Sequence, residues 1–189
     1  MIKNFTTRNL FLIPAAEGDL AALETIECEC DEYFNFDPPR AAEHNRTLRE
    51  CLAEGDMIPG VPDEEYEIKN YVLYCVKKND ETIGWLSLYY DYTNVEIVYI
   101  SVLYLAERFR AAGLGAEIIE ALSKELSAAG YKYIYAHCSL RNALALRFWV
   151  RNGFNRITEV NCEANLYQKN FGGLGLMKEL RGKDETSLL

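Results

Sequence analysis

A switch of hydrophobic period constrains this chain more than any other feature. Residues 95–105 read Val-Glu-Ile-Val-Tyr-Ile-Ser-Val-Leu-Tyr-Leu, an apolar run rich in β-branched and aromatic side chains. Such a run predicts a strand buried on both faces. Beyond it Leu114, Ile118, Leu122 and Leu126 recur every four residues and stop at Gly130, which predicts a helix ended by glycine. Between the two lies Arg110-Ala111-Ala112-Gly113-Leu114-Gly115. A strand, a short glycine-bearing loop and a helix present free backbone N–H groups at a helix N-terminus, where partial positive charge favours phosphate oxygens. Glycine at 113 and 115 lets a ligand approach the backbone with no Cβ in the way. At this level the glycine pair has two readings, a steric need of the turn or a phosphate cradle.

Other phosphate-binding patterns are excluded. A P-loop needs Lys-Ser or Lys-Thr after its last glycine, and Gly115 is followed by Ala116. The dinucleotide fingerprint needs three glycines, and two are present. The pattern that remains, Arg-x-x-Gly-x-Gly, resembles the pyrophosphate loop of GNAT-type N-acetyltransferases, which bind acetyl-CoA. Leu103-Tyr104-Leu105 before the loop, Phe109-Arg110 entering it and Ile118-Ile119 after it are similar to that family. So are the next strand, Tyr133-Ile134-Tyr135-Ala136-His137, and the run Asn142-x-x-Ala145-x-x-x-Trp149-x-x-x-Gly153-Phe154. The resemblance covers residues 96–154, and the flanking pattern fits more loosely.

The rest of the chain supplies further elements. Leu10-Phe-Leu-Ile-Pro14 reads as a short strand, and Glu17-Gly-Asp-Leu20 opens a helix with Leu20, Leu23, Ile26 and Cys30 on one stripe. Pro38-Pro39 breaks the chain and starts a second helix that turns Leu48, Cys51 and Leu52 inward. Residues 54–69 hold glycines, prolines and acids and read as a loop. Strands at 71–76 and 82–90 and the run of 95–105 form an antiparallel meander. Strands at 157–160 and 174–180 close the sheet, and 181–189 reads as a frayed tail. The fold class is α/β (α+β): one single mixed, mostly antiparallel sheet flanked by helices, in one domain over residues 1–180.

A formal charge of −9 argues against nucleic acid as a partner, because a phosphate backbone needs a basic face. The six cysteines form no C-x-x-C pair, and His44 and His137 are the two histidines. No metal is therefore expected, and reduced thiols in a cytoplasmic protein are. The sequence shows no basic-plus-apolar leader and no long apolar run, so neither secretion nor a membrane span is expected. Whether the chain forms a homodimer is left open.

The resemblance implies an acyl-CoA N-acyltransferase fold in which the family's fourth and fifth strands splay apart and the cofactor's pantetheine arm lies in the gap. The arm would pair with backbone near Leu103, Tyr104 and Leu105. Backbone amides of Arg110, Ala111, Ala112, Gly113, Leu114, Gly115 and Ala116 would hold the pyrophosphate of acetyl-CoA. Asn142 reads as a helix N-cap, and the resemblance adds a hydrogen bond to the arm. Ala145 and Phe148 lie along the arm or pack in the core. Trp149 stands where much of the family has a tyrosine acid, and an indole is no proton source near neutral pH, so it reads as packing or a wall of the acyl site.

Three residues are candidates for the base. Glu96 needs burial to raise its pKa, Tyr99 would orient a water, and His137 has a suitable intrinsic pKa. The acids of Glu27-Cys-Glu-Cys-Asp-Glu32, with Asp37, either draw a cationic amine or form a solvated face. The function implied is an N-acetyltransferase moving acetyl from acetyl-CoA to a primary amine. The rival is a non-catalytic acyl-CoA-binding sensor or protein-interaction module.

Overall fold

The computed structural model describes residues 1–30, 47–55, 70–162 and 172–180. Strands β1 (Phe5–Thr6) and β2 (Phe11–Pro14) precede helices α1 (Leu20–Glu27) and α2 (Leu48–Glu54). The meander follows as β3 (Tyr71–Lys78), β4 (Glu81–Tyr90) and β5 (Ile97–Leu105). Helix α3 (Leu114–Ala128), β6 (Tyr133–Ser139), α4 (Ala143–Arg151), β7 (Arg156–Cys162) and β8 (Gly172–Glu179) complete the chain. The strands form one eight-stranded sheet in the order β1-β2-β3-β4-β5-β6-β8-β7. Strands β5 and β6 pair in parallel, and every other described pair is antiparallel. This is the mixed, mostly antiparallel sheet the pattern calls for.

Two boundaries differ from the sequence reading. The two-residue strand β1 carries no pattern of its own and exists because Phe5 and Thr6 pair with Leu12 and Phe11. The strand expected from residue 95 begins at Ile97. Asn94 explains the delay: its Oδ1 accepts the Glu96 N–H at 2.9 Å, and Tyr92 N–H reaches the Ile97 carbonyl at 3.0 Å. That closed turn leaves Val95 76% exposed despite its β propensity. The expected start of the second helix at Pro38-Pro39, His44, the loop over 56–69 and the tail at 181–189 lie outside the described residues. Within them, Thr47 caps α2 by accepting the Glu50 N–H at 3.2 Å, while Glu50 Oε2 accepts the Thr47 N–H at 2.7 Å.

Alternation along the strands sorts side chains onto two faces. On one, Tyr74, Val76, Leu86, Leu88, Val98, Ile100, Ile134 and Ala136 pack against Leu114, Ile118, Ile119, Leu122 and Leu126 of α3 and Trp149 of α4. On the other, Leu73, Cys75, Trp85 and Tyr104 meet Leu20, Leu23 and Ile26 of α1 and Leu48 of α2. The side chain of Cys30, the fourth residue expected on the α1 stripe, lies outside the described residues. Further along this second face Tyr89, Ile97, Tyr99 and Tyr135 form a cluster of their own.

The turn between β1 and β2 is clamped to the first turn of α3. Glu117 accepts hydrogen bonds from the Thr7 hydroxyl, from the Asn9 N–H at 2.6 Å and from Asn9 Nδ2 at 2.8 Å. Partial burial alone would raise its pKa, but these hydrogen bonds and nearby Arg8 hold it below the ordinary glutamate value. A depressed carboxylate contributes stability that is present above its unfolded pKa, about 4.3, and is lost as pH falls through the folded value. Glu117→Gln is therefore expected to lower stability by on the order of 1 kcal/mol at neutral pH. The gap from the wild type should close as pH falls below about 4, read by thermal unfolding from pH 3 to 8. A gap independent of pH would show that the charge of Glu117 does not hold the turn.

Candidate active site

The site begins with one surplus residue in β5. Ser87 of β4 faces Val102, yet Leu88 faces Ile100, so Ser101 is bulged. A bulge bends its strand and shifts the alternation by one. Before it, Val98 and Ile100 face the α3/α4 core; after it, Leu103 and Leu105 do, while Val102 and Tyr104 turn to α1 and α2. The parallel pairing of β5 with β6 stops at the same level, with Ile100 opposite Ala136 as its last pair. Beyond it β5 continues to Leu105 beside β4, and β6 to Ser139 beside β8. Each strand therefore turns an edge toward the other across an opening, and backbone polar groups on such edges need a partner.

The glycine loop stands at the far end of β5. Two of its residues are left-handed, Ala111 at φ 58° and Gly113 at φ 81°. For alanine that conformation costs about 1 kcal/mol, and such strain collects at functional loops. The first helix-type bond of α3 runs from the Glu117 N–H to the Gly113 carbonyl. The amides of Leu114, Gly115 and Ala116 therefore have no partner within the helix and point out of its N-terminus. The two glycines do different work. A Cβ on Gly113 would meet nothing within 4 Å, whereas one on Gly115 would lie 3.0 Å from Phe148 Cε2. Gly113 stands open to a ligand, while Gly115 lets α4 pack against α3, a packing reason that the sequence reading did not assign. Arg110 is turned back onto the strand: its Nε donates to the Leu105 carbonyl at 2.8 Å, and its guanidinium sits 4.6 Å from the Tyr104 ring centre. It braces the loop, its own N–H donating to the Glu107 carbonyl at 3.1 Å.

On α4, Asn142 is 8% exposed and caps the helix, its Oδ1 accepting the Ala145 N–H at 3.0 Å. Its Nδ2 is left as a donor. Ala145 and Phe148 pack partly buried at the margin of the core. Trp149 lies inside it, edge-on to Phe148 and Phe154 with ring centres 5.0 and 4.8 Å away. It fills space between α4 and the sheet.

The three candidate bases sit in different settings. Glu96 pairs with Lys132 at the start of β5, with 43% of its side chain exposed. Five residues separate it from Ser101, roughly 16 Å along an extended strand. Tyr99 is buried among rings, 4.9 Å from Tyr92 and 5.4 Å from Tyr135 by ring centres. His137 is the first residue of β6 beyond the pairing with β5. It shares its face with Tyr133 and Tyr135, and its Nε2 is buried without a hydrogen-bond partner. Acids of the expected rim are described in part. Glu29 accepts the Glu107 N–H at 3.0 Å, tying the end of α1 to the turn after β5, and Glu27 is raised in pKa, first by burial and then by Glu24. Asp31, Glu32 and Asp37 lie outside the described residues.

Several polar groups on this face escaped the sequence reading. Ser87, 1% exposed beside the bulge, has an Oγ with no partner; a lone serine in an apolar run gives no signal. Tyr135 donates its hydroxyl to Glu159 Oε2 at 3.0 Å, and burial first, then this bond, raises its pKa well above the ordinary tyrosine value. Glycines 173 and 175 make the room: a Cβ on Gly173 would fall 2.3 Å from His137 Cε1, and one on Gly175 2.5 Å from the Tyr135 hydroxyl. Glycine at alternate positions of a strand is a visible signal of close approach on one face.

The family model described as the acetyltransferase (GNAT) family matches residues 27–154. No curated protein matches the chain in sequence. Among solved structures, a probable acetyltransferase of the GNAT family from Chromobacterium violaceum ATCC 12472 is similar at 18% identity and a TM-score of 0.69, over 93% of this chain and 85% of that one. RimL, a ribosomal L7/L12 α-N-protein acetyltransferase solved with coenzyme A, is similar at 15% identity and a TM-score of 0.70, over 94% and 98%. A GNAT family acetyltransferase from Elizabethkingia anophelis with acetyl-CoA bound is similar at 17% identity and a TM-score of 0.58, over 92% and 99%.

Among the described residues no group of three or more His, Cys, Asp or Glu could hold a metal ion, and no helix is long and apolar enough to cross a membrane. The geometry at Gly113 yields a direct test. Gly113→Asp adds a carboxylate at an exposed helix N-terminus without meeting a neighbour, and its left-handed backbone costs about 1 kcal/mol, so the fold should survive while an anionic ligand is repelled. Calorimetry is expected to show CoA affinity reduced at least tenfold in a folded variant. Unchanged affinity would remove the loop from the binding site.

Proposed function

The chain belongs to the acetyltransferase (GNAT) family, and on that premise we propose that it moves the acetyl group of acetyl-CoA to the nitrogen of a primary amine. The reading takes residues 1–180 as one catalytic domain. It is supported above all by the opening between β5 and β6 beyond Ile100 and Ala136, with the loop of Ala111 and Gly113 at its end. The opening suits an extended arm that hydrogen-bonds strand backbone, and the α3 N-terminus suits a diphosphate. Ala111, Ala112, Gly113, Leu114, Gly115 and Ala116 would hold the diphosphate through their amides, whereas the Arg110 N–H already donates to the Glu107 carbonyl at 3.1 Å. Backbone of Leu103, Tyr104 and Leu105 and the Nδ2 of Asn142 would align the arm, with Ala145, Phe148 and Trp149 behind it.

In the transfer, a neutral amine attacks the thioester carbonyl while β5 amides polarise its oxygen. A new C–N bond forms, the C–S bond breaks, and the proton released from the attacking nitrogen passes through water to the departing thiolate. The amine must first lose a proton, and His137, the first residue of β6 beyond the pairing with β5, is the favoured acceptor because its buried Nε2 has no hydrogen-bond partner. Glu96 is the weaker candidate because Lys132 already holds its carboxylate. Tyr99 would orient a water.

Thiol release from acetyl-CoA across a panel of primary amines tests the whole reading. His137→Gln is expected to lower kcat by roughly 10²-fold and to remove the acidic limb of the pH–rate profile. Trp149→Phe should leave the alkaline limb in place. Full kcat and an intact acidic limb in His137→Gln would clear the histidine of this role. CoA binding without thiol release for any amine would instead favour a non-catalytic acyl-CoA-binding module.

A further inference from the structure

The turn that leads from β5 into the glycine loop is capped from across the molecule. Glu107–Phe109 forms one short helical turn, and its first N–H has no partner within that turn. A local cap would come from the preceding side chain, as Thr47 provides for α2. The preceding residue here is Ala106, whose side chain makes no cap. The acceptor is instead Glu29, 78 residues earlier, whose Oε2 takes the Glu107 N–H at 3.0 Å. Glu29 belongs to the short turn Cys28–Cys30 that continues α1. Leu20, Leu23 and Ile26 of α1 already share an apolar cluster with Tyr104 and Ala106, but apolar contact is non-directional. The carboxylate adds the directional bond.

The strained part of the loop follows directly. Phe109 N–H donates to the Ala106 carbonyl at 2.9 Å and Arg110 N–H to the Glu107 carbonyl at 3.1 Å. The next residue is Ala111 in its left-handed conformation, with Gly113 two residues further on. Strain of that kind persists only where the surroundings over-determine the backbone. Two restraints come from β4: Glu81 pairs with Arg108, and the Ile83 carbonyl accepts the Ala106 N–H at 2.8 Å. Glu29 adds one from the end of α1. Its charge and its bond act in opposite directions on an anion bound nearby. The charge repels the anion, whereas the bond keeps the loop in one arrangement and so spares the ordering cost of binding.

We infer that Glu29 is a positioning residue for the cofactor loop: through the Glu107 amide it holds the turn, and with it Ala111 and Gly113, in the form that takes a diphosphate. The inference rests on the reading of that loop as the diphosphate site, and it assigns to an acid a favourable part in binding an anion. Calorimetry of the full chain with CoA tests it. Glu29→Ala removes charge and bond together and is expected to weaken CoA binding about three- to tenfold. Glu29→Gln removes the charge but keeps an oxygen that accepts the amide, so its affinity should equal or exceed that of the wild type. Hydrogen exchange of the Glu107 amide, read by NMR, should speed up in Glu29→Ala and stay near the wild-type rate in Glu29→Gln. In steady state Glu29→Ala should raise KM for acetyl-CoA by the same factor as the affinity loss with little change in kcat, and Glu29→Gln should not. The side chain is exposed, so both variants should fold, which melting temperatures check. CoA affinity in Glu29→Ala equal to or above that of the wild type would overturn the inference, as would an equal loss in both variants. A raised KM for the amine that salt abolishes, with CoA affinity unchanged, would assign Glu29 to attracting the acceptor instead. The expected CoA pattern without thiol release for any amine would keep the positioning role and overturn the transfer reading, and a wild type that binds no CoA would overturn both.

Discussion

The architecture of the site depends on a single surplus residue. Ser101 gives β5 one position more than β4 can match, and two consequences follow. The strand bends and parts from β6 after Ile100, and the face alternation shifts, so that Tyr104 can join the α1/α2 cluster while Leu103 and Leu105 stay with α3 and α4. A regular strand would satisfy neither demand: continued pairing with β6 would close the opening, and unshifted alternation would send Tyr104 into the α3 core. The two helical layers hold the bend in place, because each has buried apolar partners on β5 beyond it.

Around that opening, close approach is set by where side chains are missing. Gly115 lets Phe148 settle on the first turn of α3, which fixes α4 and with it Asn142 relative to the loop. Gly173 and Gly175 let His137 and Tyr135 lie across β8. Gly113 stands in open space with a left-handed backbone. The Glu117 clamp on the β1–β2 turn adds a second anchor to the first turn of α3. An anion at the α3 N-terminus would thus meet amides already held in position, so little ordering entropy would be lost on binding.

How much of this the sequence carried varies with the physics involved. The meander, α3 and the loop were legible because period and glycine placement are local signals, and the buried run of β5 allowed few alternatives. The late start of β5 was not, because Asn94 competes for the backbone through its side chain, a choice invisible to hydrophobic pattern. Ser101 looked like one polar residue in an apolar strand, although its bulge sets the opening. Bulges depend on the register of two strands, which a single segment does not encode. His137 was visible as a residue type, but its unpartnered nitrogen and its glycine bed come from β8, more than thirty residues downstream. Glu159 carried no signal, since an acid on an edge strand is commonly a solvated one.

Trp149 in the core raises the question of what a side-chain acid at that position would contribute to thiol departure, and magnitudes answer it. A thiolate with a pKa of about 8.5 is disfavoured at pH 7 by about 1.5 units, or roughly 2 kcal/mol, which water can meet. An amine with a pKa near that of lysine, about 10.4, is more than three units from its nucleophilic form, or roughly 5 kcal/mol. The larger demand lies on the amine, so a base contributes more than an acid, and a site of this chemistry can forgo the acid before it can forgo the base.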